Sequence, residues 1–233
     1  MAHIYRAQLT PSKLELVEGW APSQSWFAGD EDATFEQLAS YRFDDPLGQV
    51  GLEVLFVRVG GGPVMQIALT YRDAPFDPAE SWLIGTLMHS VLGKRWVYDA
   101  TGDPAFVAAL ASTILTGGVQ AELMVETGSG MERREPTAHV RGTTSTGGGV
   151  AAQDVGEITT RETAEATVIT GSDLQVVVLR RPLDAPNTGA QDESTAQAQD
   201  AALVGTWTGQ SAEVTLAFLL STSHFGDSIL NIT

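Results

Sequence analysis

The 233-residue sequence contains no cysteine, which excludes a disulfide framework, a thiolate metal site and a cysteine nucleophile. It has no apolar run long enough to span a bilayer. Its start, MAHIYRAQLTPSKLELVEGW, lacks the basic flank, apolar core and small-residue cleavage site of a secretory signal. Positive charge is also scarce. Lys and Arg total 13 against 29 Asp and Glu, a formal net charge of −16. A field of that sign repels phosphate backbones and anionic lipid, so the sequence points away from nucleic acid and membrane surfaces and toward the cytoplasm. The four histidines, His3, His89, His139 and His224, are scattered without metal-ligand spacing. There is no internal repeat.

What is present supports a folded core, since 43% of the residues are hydrophobic. Thr10-Pro11 reads as an N-cap and first helical residue, with Leu14, Val17 and Ala21 at helical spacing and Glu15 and Glu18 facing out. Strand patterns follow. Val50–Val59 and Val64–Tyr71 flank Gly60-Gly61-Gly62-Pro63 and predict a hairpin, with Tyr41-Arg42-Phe43 as an added edge. Leu83–His89 and Lys94–Tyr98 make a second pair around a turn at 91–93. A helix over 104–116 is then well marked. Asp103 is its N-cap, Pro104 its first residue and Gly117 its left-handed stop, with Phe106, Leu110 and Ile114 on one stripe. Consecutive antiparallel strands with one or two helices predict an α+β fold.

After Gly118 the character changes. Val119–Val125 could be a strand, whereas 127–137 and 142–149 read as loops. The hairpin 162–170/174–180 turns at Gly171-Ser172-Asp173, and 203–208 with 212–219 form a last strand pair. Residues 182–202 carry no aromatic or β-branched apolar anchor and predict a flexible segment. The sequence divides into a domain over 1–126 and a mostly β region over 136–233.

The run LIGTLMHSVLGKRWVYDATGDPAFVAALASTILTGG, with Trp20, Trp26 and Phe27 upstream, resembles the N-terminal cap domain of actinobacterial maltokinases. The resemblance implies a cystatin-like helix on a curved antiparallel sheet, followed by a small, mostly β half like a kinase N-lobe. In that family a strand, a polar turn and a second strand with a phosphate-anchoring lysine follow the cap. Residues 167–171 and 176–181 are similar to those strands. Registering the family's two basic residues on Arg180 and Arg181 puts the lysine at Val177, which cannot hold a phosphate. An alternative register offers Arg180, whose planar fork suits that role poorly. No His-x-Asp catalytic loop is present, and His224-Phe225-Gly226-Asp227 is only a visual echo.

The expectation is therefore a non-enzymatic cap-like accessory or binding protein with no cofactor, metal or catalytic residue. The resemblance links it to maltose, trehalose and α-glucan metabolism, with a protein partner or a sugar as ligand. The alternative is the regulatory or N-lobe half of a split ATP-dependent sugar kinase. The glycine-rich 143–149 lacks the Gly-Lys-Ser/Thr of a phosphate loop. Gln49-Val50-Gly51 lacks the spacing of a cystatin wedge. Candidate interaction residues are the aromatics Trp26, Phe27 and Tyr98, with Arg95 from the compact basic pair Lys94-Arg95. Asp30-Glu31-Asp32 follows the aromatic pair where the family has a basic residue, which argues against an inherited anion site there.

Overall fold

The computed structural model describes residues 2–4, 7–30, 32–127, 130–144, 155–184 and 201–220. Strands β1 (Ala2–Ile4) and β2 (Leu9–Thr10) precede helix α1 (Lys13–Trp20). Next come β3 (Phe35–Phe43), β4 (Gly51–Val59), β5 (Val64–Arg72), β6 (Leu83–His89) and β7 (Gly93–Asp99), then helix α2 (Pro104–Thr116). The second half contains β8 (Leu123–Thr127), β9 (Gly130–Arg134), β10 (Ala138–Gly142), β11 (Thr159–Glu162) and β12 (Ala166–Thr170). It continues with β13 (Gln175–Asp184), β14 (Ala202–Trp207) and β15 (Gln210–Leu220).

Two six-stranded sheets and a small three-stranded one result, in the orders β2-β6-β7-β5-β4-β3, β10-β14-β15-β13-β12-β11 and β1-β8-β9. The two large sheets are antiparallel throughout. The fold is α+β, with helices packed on curled antiparallel sheet.

Helix α1 starts later than the sequence suggests. Thr10 is paired with Met88 in β2, so the helix cannot begin until Ser12. Ser12 then forms a capping box: its hydroxyl accepts from Glu15 N–H, and its own N–H donates to the Glu15 carboxylate. The Glu15 carboxyl is held below its ordinary pKa by the Ser12 N–H and, to a lesser degree, by the Ser12 hydroxyl beside it. Val17 and Ala21 are fully buried, as their spacing predicts. Helix α2 has the predicted ends, with Asp103 accepting from Ala105 N–H and Gly117 at φ 65°. Its buried surface is wider than the single stripe, because Val107 and Ala111 are buried beside Phe106, Leu110 and Ile114.

That wide burial follows from the layering. Strands β4 and β5 are buried almost without interruption, the mark of a sheet covered on both faces. Leu55, Val57, Met65, Ile67 and Leu69 face α1. Leu52, Val54, Phe56 and Ala68 face the other way, into a core built with α2 and the second large sheet. There Phe56 stacks on Trp207, with ring centroids 4.2 Å apart. Gln66 crosses the same layer, its Nε2 donating to the carbonyls of Leu179 at 2.9 Å and Leu216 at 3.0 Å. Tyr41 hydroxyl donates to Gln66 Oε1, which satisfies the amide completely. One apolar cluster thus draws on residues from both sides of the 127–135 segment.

Four readings of the second half need correction. Val119–Val125 is not one strand: Val119 makes an isolated bridge to Arg141, and β8 starts only at Leu123. Residues 130–134, expected as loop, form β9 against β8, turning at Gly130. Every residue of β9 is exposed, so no alternation could mark it. The stretch 162–170 is not one strand. Thr163 Oγ1 accepts from Ala166 N–H and turns the chain, so β11 ends at Glu162 and β12 starts at Ala166. Strand β13 continues through Pro182 and Leu183, where Leu183 pairs with Thr215. At its other end the expected flexible segment gives way to β14, which opens at Ala202, while 185–200 lies outside the described residues, as do 145–149 and His224–Asp227.

Candidate functional site

Helix α1 packs on one face of the first large sheet. At its first residue, Lys13, the covered surface ends, and the side chains of that sheet face change from apolar to charged. Arg42 of β3 and Glu53 of β4 are directly opposed cross-strand partners. Tyr71 lies near the end of β5 and Arg95 on β7, opposite Leu87. These residues line an open cleft of about 1100 Å³ at one end of the sheet. Its wall includes the loop between β3 and β4, whose backbone is tied down by Asp45. The Asp45 carboxylate accepts from the N–H groups of Leu47, Gln49 and Val50 at 3.0, 2.8 and 2.9 Å.

Glu53 is the centre of the cleft floor, with its side chain only 7% exposed. Its Oε2 accepts from Lys13 Nζ, from Tyr71 hydroxyl at 3.0 Å and from Arg42 Nη2 at 3.4 Å. Burial alone would raise its pKa. The charges of Arg42 and Lys13, with the bonds from Lys13 and Tyr71, outweigh burial and hold the carboxyl down at about 2. Burial and the neighbouring Glu53 charge push the Tyr71 phenol up. His89 closes the β6–β7 hairpin, its Nδ1 accepting from the N–H groups of Val91 and Leu92 at 3.2 and 3.0 Å. Partial burial, then the charges of Arg95, Lys13 and Arg42, lower its pKa.

Chemically this arrangement suits binding. A carboxylate held so far down is a weak base, and a phenol pushed up does not ionise near neutrality. Among the described residues no group of three or more His, Asp or Glu could hold a metal ion.

A second charged cluster lies inside the fold. Arg180 of β13 is fully buried, with Nη2 donating to Asp99 Oδ2 at 2.7 Å, Thr101 Oγ1 at 3.1 Å and Glu162 Oε1 at 3.2 Å. Its Nε donates to Thr167 Oγ1 at 2.9 Å. The guanidinium lies over the ring of Trp26, 4.6 Å from its centroid, and Trp26 Nε1 donates to the same Glu162 oxygen. This cluster ties β7 and the segment after α1 to the second large sheet.

The predicted interaction residues therefore separate. Trp26 and Tyr98 are core residues, at 0% and 2% exposure, and cannot form a surface. The Tyr98 hydroxyl accepts from Phe76 N–H. Phe27 is half-buried and stacks on Phe35, centroids 6.0 Å apart. Arg95 alone lines the cleft. Val177 is buried in a small apolar cluster with Ala166 and Leu179. The sequence reading missed Lys13, Arg42, Glu53 and Tyr71, which come from four separate elements. One signal was available: Glu53 is the only acidic residue inside the apolar run VGLEVLFVRV.

Among the described residues no helix is long and apolar enough to cross a membrane. Residues 20–103 match the family model of the maltokinase N-terminal cap domain. The matched stretch runs from the last residue of α1 to the N-cap of α2, about a third of the chain. Arg42, Glu53, Tyr71, His89 and Arg95 lie inside it, and Lys13 lies just before it. No curated protein matches the sequence.

Proposed function

We propose that this chain, carrying a maltokinase N-terminal cap domain, is a non-catalytic binding protein of maltose, trehalose or α-glucan metabolism. It works in the cytoplasm as an accessory module, with the cleft beside α1 as its ligand site and a protein of the same metabolism as its partner. The observation that carries the non-catalytic reading is the state of Arg180. At the strands that resemble a kinase N-lobe, Arg180 is the one side chain that could replace the missing lysine. It is fully buried, with Nε and Nη2 held by Asp99, Thr101, Glu162 and Thr167 and with Nη1 enclosed without a partner among the described residues. Val177, the residue in the other register, has only apolar neighbours in its cluster. Neither is available to hold a nucleotide phosphate.

The test is phosphoryl transfer from Mg·ATP to maltose, with ATP binding followed in parallel by calorimetry. The expected result is no transfer, and no magnesium-dependent ATP binding that survives excess inorganic phosphate. Transfer by this chain, alone or with a separately produced kinase C-lobe, would overturn the reading in favour of a split sugar kinase.

A further inference from the structure

We infer that the cleft at the open end of the first large sheet is an anion site that takes a phosphate group, free or carried as a phosphomonoester. The inference rests on the reading of the chain as a binding protein and names the chemistry of its ligand. The argument begins with charge. The protein carries a formal net charge of −16, yet the cleft is lined by Lys13, Arg42 and Arg95, with Glu53 as its one buried carboxylate. Glu53 neutralises one of the three, so the floor keeps an excess of positive charge.

Exposed Asp44, Asp73 and Glu135 and half-buried Asp45 lie on the rim with Arg72 and Arg134, so the positive excess is local to the floor. The Asp45 carboxylate is engaged by three backbone N–H groups of its own loop. Burial is the largest cause of the lowered pKa of His89, and the charges of Arg95, Lys13 and Arg42 add to it in the same direction.

Geometry adds a vacancy for an acceptor. Arg42 Nε is buried and finds no hydrogen-bond acceptor among the described residues, although Nη2 of the same side chain reaches Glu53. A buried donor on a charged group without a partner is costly, and a ligand oxygen would relieve it. Among the described residues the Arg95 guanidinium donates to a carbonyl, that of Lys94, at 3.2 Å. Arg95 therefore brings its full charge to the cleft.

Glu53 fixes Lys13 and Arg42 in place, which lowers the ordering cost of binding. Two guanidinium groups and an ammonium around a cleft suit a tetrahedral dianion. A neutral sugar would need an open aromatic face, and the Tyr71 ring is instead covered by the Gly51 backbone, where a Cβ would sit 3.3 Å from its Cδ2.

The experiment is calorimetry of the full chain with inorganic phosphate, glucose 6-phosphate and glucose at low ionic strength, repeated on two variants. Phosphate and glucose 6-phosphate should bind and glucose should not, with affinity falling as salt is raised. If glucose 6-phosphate binds at least tenfold tighter than phosphate, the natural ligand is a phosphomonoester; equal affinities assign the site to free phosphate. Arg95→Glu should weaken phosphate at least tenfold with the unfolding temperature nearly unchanged. Arg95→Gln should weaken it less, which keeps the test valid if the charge reversal disturbs folding. Phosphate binding that neither variant alters would overturn the inference, as would the absence of phosphate binding. Glucose binding without phosphate binding would overturn the anion site and leave the binding-protein reading standing. Phosphoryl transfer with the phosphate site intact would do the reverse.

Discussion

Glu53 and Arg180 are both charged residues placed among apolar strands, and each is held by more than two polar partners. They differ in what surrounds the partners. Around Arg180 the cation itself is sealed: Arg180 and Asp99 are at 0% exposure, Thr101 and Thr167 are buried, and only Glu162, at 24%, reaches the surface. Around Glu53, the cations are at the edge of a cleft, with Lys13 and Arg42 at 26% and 19% exposure. A sealed pair gives specificity to how two sheets meet. An open one leaves charge available to a ligand. The same chemistry therefore holds the molecule together at one place and equips it for binding at another.

The sharpest way to break this contrast is at the sealed pair. Arg180→Ala leaves Asp99 buried without its cation and should cost about 3–5 kcal/mol in denaturant unfolding. Combining Arg180→Met with Asp99→Leu should recover much of that loss, because no unpaired charge remains buried. Gln66→Leu comes next. It strands two strand carbonyls and the Tyr41 hydroxyl in a dry layer, with an expected cost of about 1–3 kcal/mol.

Glu53→Gln should cost less, about 1–2 kcal/mol, since both cations can turn to water. It should also remove a pH dependence. The folded carboxyl is held at about 2, below its ordinary value. The stabilisation it provides is complete above the unfolded pKa of about 4.3 and is lost as pH falls toward 2. Acid unfolding of the unmodified protein should therefore be steeper than that of Glu53→Gln across this window. The smallest effect is expected from Ser12→Ala, about 1 kcal/mol, because it removes one helix cap. If that change also weakens phosphate binding, the position of Lys13 depends on the capped end of α1.

Much of the fold was readable from local pattern. Helix α2 could be placed to the residue because Asp103, Pro104 and Gly117 each have a backbone reason to be where they are. The hairpins β4–β5 and β6–β7 were readable because glycine-containing turns separate β-branched runs. The exposed strand β9 gave no signal, because Met131, Glu132, Arg133 and Arg134 have no buried face to alternate with. The start of α1 was misplaced because a proline after threonine looks like a cap, and only the pairing of Thr10 with Met88 shows otherwise. The cleft was not readable at all as a unit. Its four central side chains lie on α1, β3, β4 and β5, and only sheet register brings Arg42 opposite Glu53.

Covering β4 and β5 on both faces also decides how this protein can be handled. A fragment trimmed to the family boundaries at 20 and 103 would lose most of α1, all of α2 and the entire second sheet. Phe56, Val54, Tyr41 and Leu52, now at 0–2% exposure, would meet water together on one flat apolar surface. Such a piece should self-associate, and partners fished with it would be those of a sticky sheet. Useful truncations will have to keep both sheets.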